Sequence, residues 1–304
     1  MIEKIYGGIE AGGTKFVCAI GRGREILEKT VFPTTSPDET VQKAIHFFQN
    51  SNRLNRLAAT GICSFGPIDI HRRSATWGYI TTSPKDGWSN IDFAQRVHRQ
   101  LKVPVAFDTD TNGAALGEYV YGAARGLDNF VYLTVGTGIG GGGMVNGKLI
   151  HGLVHPEMGH IRIPHDWKED PFPGSCPYHG DCLEGLASGA AMELRWGLPP
   201  EKLPLNHPGW ELEASYIALA INNFICNTSP ERVIVGGGVV KNPVLMPAIR
   251  RRVERNLNKY VRSDAIIKDI DNYVVLPALG DLTGVIGALE LAKRIELNYK
   301  RETI

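Results

Sequence analysis

Candidate metal ligands are concentrated between residues 155 and 185, in the stretch HPEMGHIRIPHDWKEDPFPGSCPYHGDCLEG. Cys176, His179 and Cys182 follow one another at three-residue intervals, and a fourth ligand must come from elsewhere. Two thiolates and two imidazoles form a common structural zinc set, and four protein ligands leave no open position for a substrate. His160 is the first candidate for the fourth ligand, and a loop without metal is the other interpretation. Three further histidines are alternatives: His151, His155 and His165.

Two carboxylates flank these candidate ligands. Glu157 precedes His160 by three residues, and Glu184 follows Cys182 by two. A metal ion that closed the loop would hold both glutamates in place, and carboxylates held at a cleft can accept hydrogen bonds from sugar hydroxyls. The alternative for either glutamate is a surface charge or a residue at a helix N-terminus.

A candidate general base lies in the segment FDTDTNGAALGE. Asp110 lies at the end of a predicted strand segment, VPVAFDTD, and precedes a helix predicted from about Asn112. Ligands of open α/β sheets bind outside the carboxyl ends of the strands, and a helix N-terminus stabilises an ionised carboxylate. Such a carboxylate suits a base that accepts a proton from a sugar hydroxyl during phosphoryl transfer. The alternative is that Asp110 or Asp108 only caps the helix.

Three glycine-rich turns are candidate nucleotide contacts: GIEAGGTK near residue 12, GTGIGGGG from residue 136, and Gly236 to Gly238. The first two match neither a Rossmann nor a Walker A loop, because a strand follows where those loops open a helix. Two β-hairpins with Gly/Thr turns can instead present backbone N–H groups and a hydroxyl to a polyphosphate. Any one of these turns, taken alone, is no more than a tight turn.

The elements that must position these residues form an α/β pattern that repeats. Both halves begin with a strand, a Gly/Thr turn and a second strand, at residues 5–20 and from residue 130. Asn146-Gly147 predicts a type I′ hairpin in the second half. Further strands are predicted at 26–33, 57–64, 231–238 and 272–279, with helices near 37–48, 91–101, 112–124, 211–228, 244–260 and 283–295. The repeat predicts a duplicated α/β domain, with two domains around a cleft.

Composition limits the class of protein. The chain has 304 residues, 43% of them hydrophobic, and a formal net charge of +1, so we expect no nucleic-acid partner. No apolar run approaches the roughly 20 residues that span a bilayer, so we expect no membrane partner. The start, MIEKIYGGIEAGG, lacks the apolar region of a signal peptide. Cys18, Cys63 and Cys226 lie alone in apolar segments and are expected to be buried thiols. We therefore expect a cytoplasmic protein.

These motifs together resemble the ROK family of sugar kinases, within the actin-like ATPase superfamily, over nearly the whole chain. GGIEAGGTK and LTVGTGIGGG resemble the family's two phosphate loops, and TDTNGAALGE resembles its catalytic segment. HPEMGH, CPYHGDCLEG and IVGGGV resemble its Glu-x-Gly-His, cysteine-rich and adenosine motifs. Two positions depart from the common pattern: Cys-x-x-His replaces Cys-x-Cys-Gly, and Thr109 replaces an asparagine. Both departures, with SFGPID and SPKDGW, are similar to the bacterial fructokinase branch.

The resemblance implies a site and a reaction. Asp110 would be the base, Mg²⁺ would bridge the phosphates of ATP, and zinc would bind His160, Cys176, His179 and Cys182. Sugar contacts are implied for Gly66, Pro67, Thr109, Glu157 and Glu184. Nucleotide contacts are implied for Gly12, Gly13, Thr14, Lys15, Thr137, Gly138, Ala190, Gly236, Gly237 and Gly238. Lys15 has the alternative interpretation of an exposed turn lysine.

The fold implied is α/β, with duplicated actin-like (ribonuclease H-like) ATPase domains flanking a cleft. We expect a small N-terminal domain over 1–117, completed by the C-terminal helix at about 285–304, and a larger domain over 118–284 that carries the zinc loop. The implied activity is ATP-dependent phosphorylation of a hexose, with D-fructose and its 6-phosphate as first choice, by a homodimer. The alternatives are a kinase for mannose, glucose or an N-acetylated amino sugar, a non-catalytic sugar or nucleotide sensor, and a zinc hydrolase.

Overall fold

The computed structural model describes the backbone of residues 4–302 and the side chains of residues 4–296. The chain divides into two compact units. The first comprises the residues up to Arg125, Ile150–His155 and the residues from Ala278 onward, and the second comprises Gly126–Leu149 and Pro156–Pro277. The expected boundary after residue 117 falls inside a helix, Asp110–Tyr121, that belongs to the first unit throughout.

The strands are mostly short and buried. In chain order they are β1 (Ile5–Ala11), β2 (Lys15–Arg22), β3 (Glu25–Pro33), β4 (Leu57–Ser64), β5 (Tyr79–Ile80), β6 (Ile91–Asp92), β7 (Val105–Thr109), β8 (Phe130–Val135), β9 (Ile139–Val145), β10 (Lys148–Leu149), β11 (Arg232–Gly236) and β12 (Val274–Val275). The helices are α1 (Pro37–Gln49), α2 (Phe93–Leu101), α3 (Asp110–Tyr121), α4 (Leu183–Ala187), α5 (Gly189–Trp196), α6 (Gly209–Thr228), α7 (Leu245–Leu257), α8 (Asp264–Ile267), α9 (Ile270–Tyr273) and α10 (Thr283–Glu302).

Each unit contains a five-stranded mixed sheet, and the two sheets share one topology. The order is β3-β2-β1-β4-β7 in the first unit and β10-β9-β8-β11-β12 in the second. In the first unit β1 pairs antiparallel with β2 and parallel with β4. In the second unit β8 likewise pairs antiparallel with β9 and parallel with β11. This shared order confirms the duplicated α/β domain that the repeated strand–turn–strand pattern predicted.

The core of the first unit explains why its elements form where they do. On α1 the residues Val41, Ala44, Ile45 and Phe48 are buried, which is the helical spacing of one apolar face. Phe16 of β2 lies among aromatic rings, with centroids 5.8 Å from Trp88 and 5.7 Å from Phe93. Apolar residues of β1, β2, β4 and β7 belong to the same core cluster, which covers one face of the sheet. This packing fixes the strand ends that precede the site residues.

Helix α10 crosses α3, the helix that begins with Asp110, at very short range and thereby fixes its position. A Cβ atom on Gly287 of α10 would lie 1.7 Å from the carbonyl oxygen of Gly113. Glu118 of α3 is fully buried and accepts hydrogen bonds from the backbone N–H groups of Ala278 and Leu279, both at 3.0 Å. A glycine contact and a buried carboxylate therefore hold α3 in the first unit.

Some local predictions were wrong. The last predicted strand, 272–279, shrinks to Val274–Val275, because α9 precedes it and Pro277 cannot donate a ladder hydrogen bond. Cys226 is exposed rather than buried, since it lies on the outer face of α6. The Asn146-Gly147 hairpin is confirmed, because both residues have positive φ, 53° and 69°. Among the described residues, no helix is long and apolar enough to span a membrane.

Candidate active site

Asp110 is the first residue of α3, at the carboxyl end of β7. The helix cap is supplied by Thr109, whose hydroxyl accepts from the N–H of Asn112 at 3.1 Å, so the carboxylate of Asp110 is not the cap. It accepts instead from the N–H of Thr111 at 2.8 Å. Burial raises the pKa of Asp110 from 3.8 to about 6, although backbone N–H groups oppose the rise. The hydroxyl of Thr109, an expected sugar contact, is buried within this cap.

A second carboxylate, Asp108, braces the same turn from the end of β7. One of its oxygens accepts from the N–H of Thr109 at 2.8 Å and from the side-chain amide of Asn112 at 2.9 Å. The other lies 2.9 Å from Nε2 of His151. His151, an alternative zinc ligand by sequence, is thus engaged with Asp108, and the bond to this carboxylate raises the pKa of the imidazole.

Glu10 of β1 is a residue that the sequence reasoning missed. Its Oε2 atom is buried and has no hydrogen-bond partner among the described residues. Burial, followed by the negative charge of Asp110, raises the pKa of Glu10 to about 7, and Lys15 opposes the rise. The available signal was a carboxylate inside an otherwise apolar strand that leads directly into the first glycine turn.

The first glycine turn is a tight connection between β1 and β2. The N–H of Gly12 donates to the carbonyl of Lys15 at 3.0 Å, and the hydroxyl of Thr34 donates to the carbonyl of Gly12 at 2.7 Å. Gly13, Thr14 and Lys15 are exposed. The turn therefore presents these groups to solvent from a rigid base, as a phosphate contact requires.

The equivalent turn of the second unit lies against the start of α5. Gly189 donates to the carbonyl of Gly136 at 2.7 Å, and Ala190 donates to the carbonyl of Thr137 at 3.3 Å. Thr137 and Gly138 are exposed. Three of the implied nucleotide contacts, Thr137, Gly138 and Ala190, are thus neighbours.

The third glycine turn follows β11 and lies in the same unit. Gly237 has φ of +101°, and a Cβ atom there would lie 2.2 Å from the carbonyl oxygen of Val135 at the end of β8. Only glycine fits this close approach. Val239, just after the turn, lies 3.4 Å from the position of a Cβ on Gly189. The turn at residues 236–238 is therefore beside the turn at residues 136–138.

His160, Cys176, His179 and Cys182 form a cluster in which one ligand atom of each lies within 4.8 Å of the others. The Nδ1 atom of His160 lies 3.7 Å from Sγ of Cys176 and 3.5 Å from Sγ of Cys182, and Nδ1 of His179 lies 3.6 Å from Sγ of Cys176. Zinc bonds of about 2.3 Å to sulfur and about 2.0 Å to nitrogen, at tetrahedral angles, place such atoms about 3.5 Å apart. The four side chains therefore fit a tetrahedral zinc ion.

The other candidate histidines have different partners. His155 accepts from the N–H of Ile68 at 2.9 Å. His165 contacts the carbonyl oxygen of Asp170 at 2.9 Å and the carboxylate of Asp181 at 3.3 Å. Of the four histidines weighed as fourth ligand, it is His160 that faces the two cysteines.

Glu184 links this cluster to the second glycine turn. Its Oε2 atom accepts from the N–H of Ile139 at 2.9 Å, and its Oε1 atom lies 3.9 Å from Nε2 of His160. The same carboxylate lies against Gly138, since a Cβ atom on this glycine would be only 2.7 Å from Oε2. Glu157 is exposed, and its carbonyl accepts from the N–H of His160 at 3.0 Å.

Gly66 and Pro67, the remaining expected sugar contacts, follow β4. The pairing of Ser64 with Thr109 places this turn beside the start of α3. The Gly66–Pro67 peptide is cis, and the carbonyl of Pro67 accepts from the N–H of Thr81 at 2.8 Å. The first unit thus brings together Gly66, Pro67, Thr109 and Asp110.

Residues 6–295 match the sequence model of the ROK family. The chain belongs to the ROK family. A putative fructokinase of Bacillus subtilis is 48% identical to this chain, with 95% of each chain aligned. A fructokinase of Zymomonas mobilis is 44% identical, with 97% of this chain and 98% of the relative aligned.

Solved ROK structures share the fold. A ROK hexokinase from Thermus thermophilus superposes with a TM-score of 0.78, 25% identity, and 98% of this chain and 99% of the other covered. A ROK family glucokinase from Streptomyces griseus, in complex with glucose and AMPPNP, gives a TM-score of 0.75 at 24% identity, with 95% and 99% covered. These likenesses confirm the actin-like ATPase fold predicted from the sequence.

Proposed function

We propose that this protein is a fructokinase that transfers the γ-phosphoryl group of ATP to D-fructose and forms fructose 6-phosphate. The observation that carries the proposal is Asp110, a desolvated carboxylate at a strand end and helix start, with a pKa raised to about 6. The choice of fructose is supported by relatives named fructokinase at 38–48% identity over nearly the whole chain.

Asp110 acts as the general base in this mechanism. It accepts the proton of the 6-hydroxyl as that oxygen attacks the γ-phosphorus, and the bond from this phosphorus to the β–γ bridging oxygen breaks, so that ADP leaves. With a pKa of about 6, the carboxylate is ionised at neutral pH and is still more basic than an exposed aspartate. Asp108 keeps the turn in position through the N–H of Thr109.

The exposed glycine turns hold the nucleotide. Backbone N–H groups and hydroxyls at Thr14 and Thr137 face the phosphates, and the turn at residues 236–238 approaches the nucleoside. Glu10 supplies a buried carboxylate oxygen without a hydrogen-bond partner among the described residues, and such an oxygen suits a hard cation. Mg²⁺ bound with ATP would neutralise charge on the transferred phosphate.

Zinc would bind His160, Cys176, His179 and Cys182, and this closed set would stabilise the loop without taking part in the reaction. The carboxylate of Glu184 lies beside both His160 and the second glycine turn. Glu184 and Glu157 accept hydrogen bonds from the sugar hydroxyls in this proposal. We also propose that the protein is a homodimer, which light scattering after size exclusion would test, and the mass of one chain would contradict it.

The test is ATP- and Mg²⁺-dependent phosphorylation across fructose, mannose, glucose and an N-acetylated amino sugar, with Asp110→Asn alongside. We expect kcat/KM for fructose to exceed the others by about tenfold or more, on the order of 1.4 kcal/mol in transition-state binding, and the variant to be inactive. If another hexose leads, the choice of fructose is wrong and the kinase assignment stands. If folded, zinc-loaded protein turns over no hexose, the assignment as a kinase is wrong.

A further inference from the structure

One short segment of the second half of the chain belongs to the first unit. Ile150–His155, the histidine segment, lies between two stretches that both belong to the second unit. Its tip gains little from burial, because Leu153 is 93% exposed and Val154 is 53% exposed. At its tip, hydrogen bonds rather than apolar packing must therefore hold the segment in the first unit.

Three histidines make these bonds. His151 contacts Asp108 at 2.9 Å, and His155 accepts from the N–H of Ile68 at 2.9 Å. Nε2 of His71 lies 2.6 Å from the carbonyl oxygen of Leu153, which can only accept. The segment is thus attached near both ends and at its tip.

The attachment at His151 reaches the turn that carries Asp110. The carboxylate of Asp108 receives His151 on one oxygen, and the N–H of Thr109 and the side chain of Asn112 on the other. The amide of Asn112 also lies 3.4 Å from the carbonyl oxygen of Ile150, which gives the same segment a second contact. Any displacement of Asp108 is therefore passed to the backbone just before Asp110.

The attachment at His155 reaches the other turn that we assign to the sugar. His155 is 5% exposed, and its Cε1 atom lies 3.3 Å from the position of a Cβ on Gly66. Because Nε2 accepts from the N–H of Ile68, that nitrogen carries no proton and the imidazole is neutral. The ring therefore packs on the Gly66–Pro67 turn and also provides the acceptor for the amide that follows it.

We propose that the histidine segment positions two parts of the active site independently. His151 holds the catalytic turn through Asp108, and this contact governs the rate of phosphoryl transfer. His155 holds the Gly66–Pro67 turn, and this contact governs the affinity for the sugar. The proposal rests on the proposed function, in which Asp110 is the general base.

The test separates the two effects by steady-state kinetics with fructose and MgATP. For His151→Ala we expect kcat to fall about tenfold with the fructose KM within about twofold, because a misplaced base affects only the transition state. For His155→Leu we expect the fructose KM to rise about tenfold with kcat nearly unchanged, because the amide of Ile68 loses its acceptor and the turn shifts. The KM for ATP stays constant in both variants.

Conservative variants distinguish positioning from a loss of folding. His151→Gln keeps an N–H donor for Asp108, and His155→Gln keeps an acceptor for Ile68, so each should restore most of the lost parameter. His98→Ala is the matched control, since Nδ1 of His98 lies 2.8 Å from the carbonyl oxygen of Val103, away from these turns, and it should leave both parameters unchanged. If His155→Leu does not fold, His155→Phe, which keeps an aromatic ring beside Gly66 and lacks the acceptor for the N–H of Ile68, should raise the fructose KM alone.

Two results would overturn the proposal. If both histidine variants change kcat and KM in the same way, or if the glutamine variants restore nothing, the segment is a structural connection only. That outcome leaves the kinase assignment intact provided that the wild-type protein is active and Asp110→Asn is inactive. If the wild-type protein phosphorylates no hexose, the proposed function is wrong and the positioning role is wrong with it.

Discussion

Replacing Asp110 by asparagine should make the protein more stable at neutral pH and at the same time remove nearly all phosphoryl transfer. Asparagine keeps an oxygen that can accept from the N–H of Thr111, so the local hydrogen bond at 2.8 Å survives. It removes the charge that burial disfavours. General bases contribute about 10²- to 10⁴-fold to rate, and we expect a loss of kcat on the order of 10³-fold.

The size of the stability gain follows from the pKa. Burial raises the pKa of Asp110 from 3.8 to about 6, and this difference corresponds to about 3 kcal/mol. Because the folded-state pKa lies above the unfolded one, this cost is absent below pH 3.8, grows as the pH rises, and is complete above pH 6. Part of the accessible surface of Asp110 remains in contact with solvent, and solvent reduces the cost of the charge. We therefore expect Asp110→Asn to raise the free energy of unfolding by about 2 kcal/mol at pH 7.5 and by about half of that at pH 5.

The assay is urea unfolding followed by tryptophan fluorescence at both pH values, without sugar, ATP or Mg²⁺. Asp108→Asn is the matched control, because it is the same substitution two residues away. Asp108 is buried with three partners, so its replacement leaves Nε2 of His151 facing an amide and should lower the free energy of unfolding by about 1 kcal/mol.

The two aspartates should therefore respond with opposite signs. If Asp110→Asn is folded but no more stable than the wild-type protein at pH 7.5, burial does not disfavour this carboxylate. The explanation of Asp110 as a base tuned by desolvation would then be refuted, even if the variant were inactive.

Three further results are expected. First, kcat/KM should fall about tenfold per pH unit below pH 6 as Asp110 is protonated, and a pH-rate profile that stays flat to pH 5 would contradict this. Second, Cys182→Ser should lower the zinc content, measured by metal analysis, and also lower the Tm and kcat, because the loop beside Glu184 is released. Retention of one zinc per chain would exclude the proposed ligand set. Third, Glu118→Gln should reduce the free energy of unfolding in urea by about 2 kcal/mol and Glu118→Ala by about 4, since each step leaves further buried N–H groups without an acceptor; equal losses would argue against this account.

The sequence predicted most of the helices and strands and the strand–turn–strand start that the two units share. These features depend on local patterns, such as apolar segments, glycine turns and the Asn146-Gly147 hairpin, which act over a few residues. The strand predicted at 272–279 is shorter than expected, because helix α9 ends at Tyr273 and Pro277 follows. Local patterns did not show where this strand begins and ends. The same applies to Cys226, because sequence spacing alone did not show which face of α6 is outside.

For the site, the spacing of Cys176, His179 and Cys182 was sufficient to predict three members of a metal cluster, since seven residues of loop can only place them close together. The sequence alone left four histidines as candidates for the fourth ligand. Only the fold brings His160 to the cysteines while His151 and His155 bind elsewhere. The proximity of Glu10 to Asp110 is likewise set by the pairing of β1, β4 and β7, strands that are far apart along the chain. Contacts of that kind depend on sheet register and on the burial of whole elements, whereas spacing along the chain reports only on neighbours within a turn, a hairpin or a single helix.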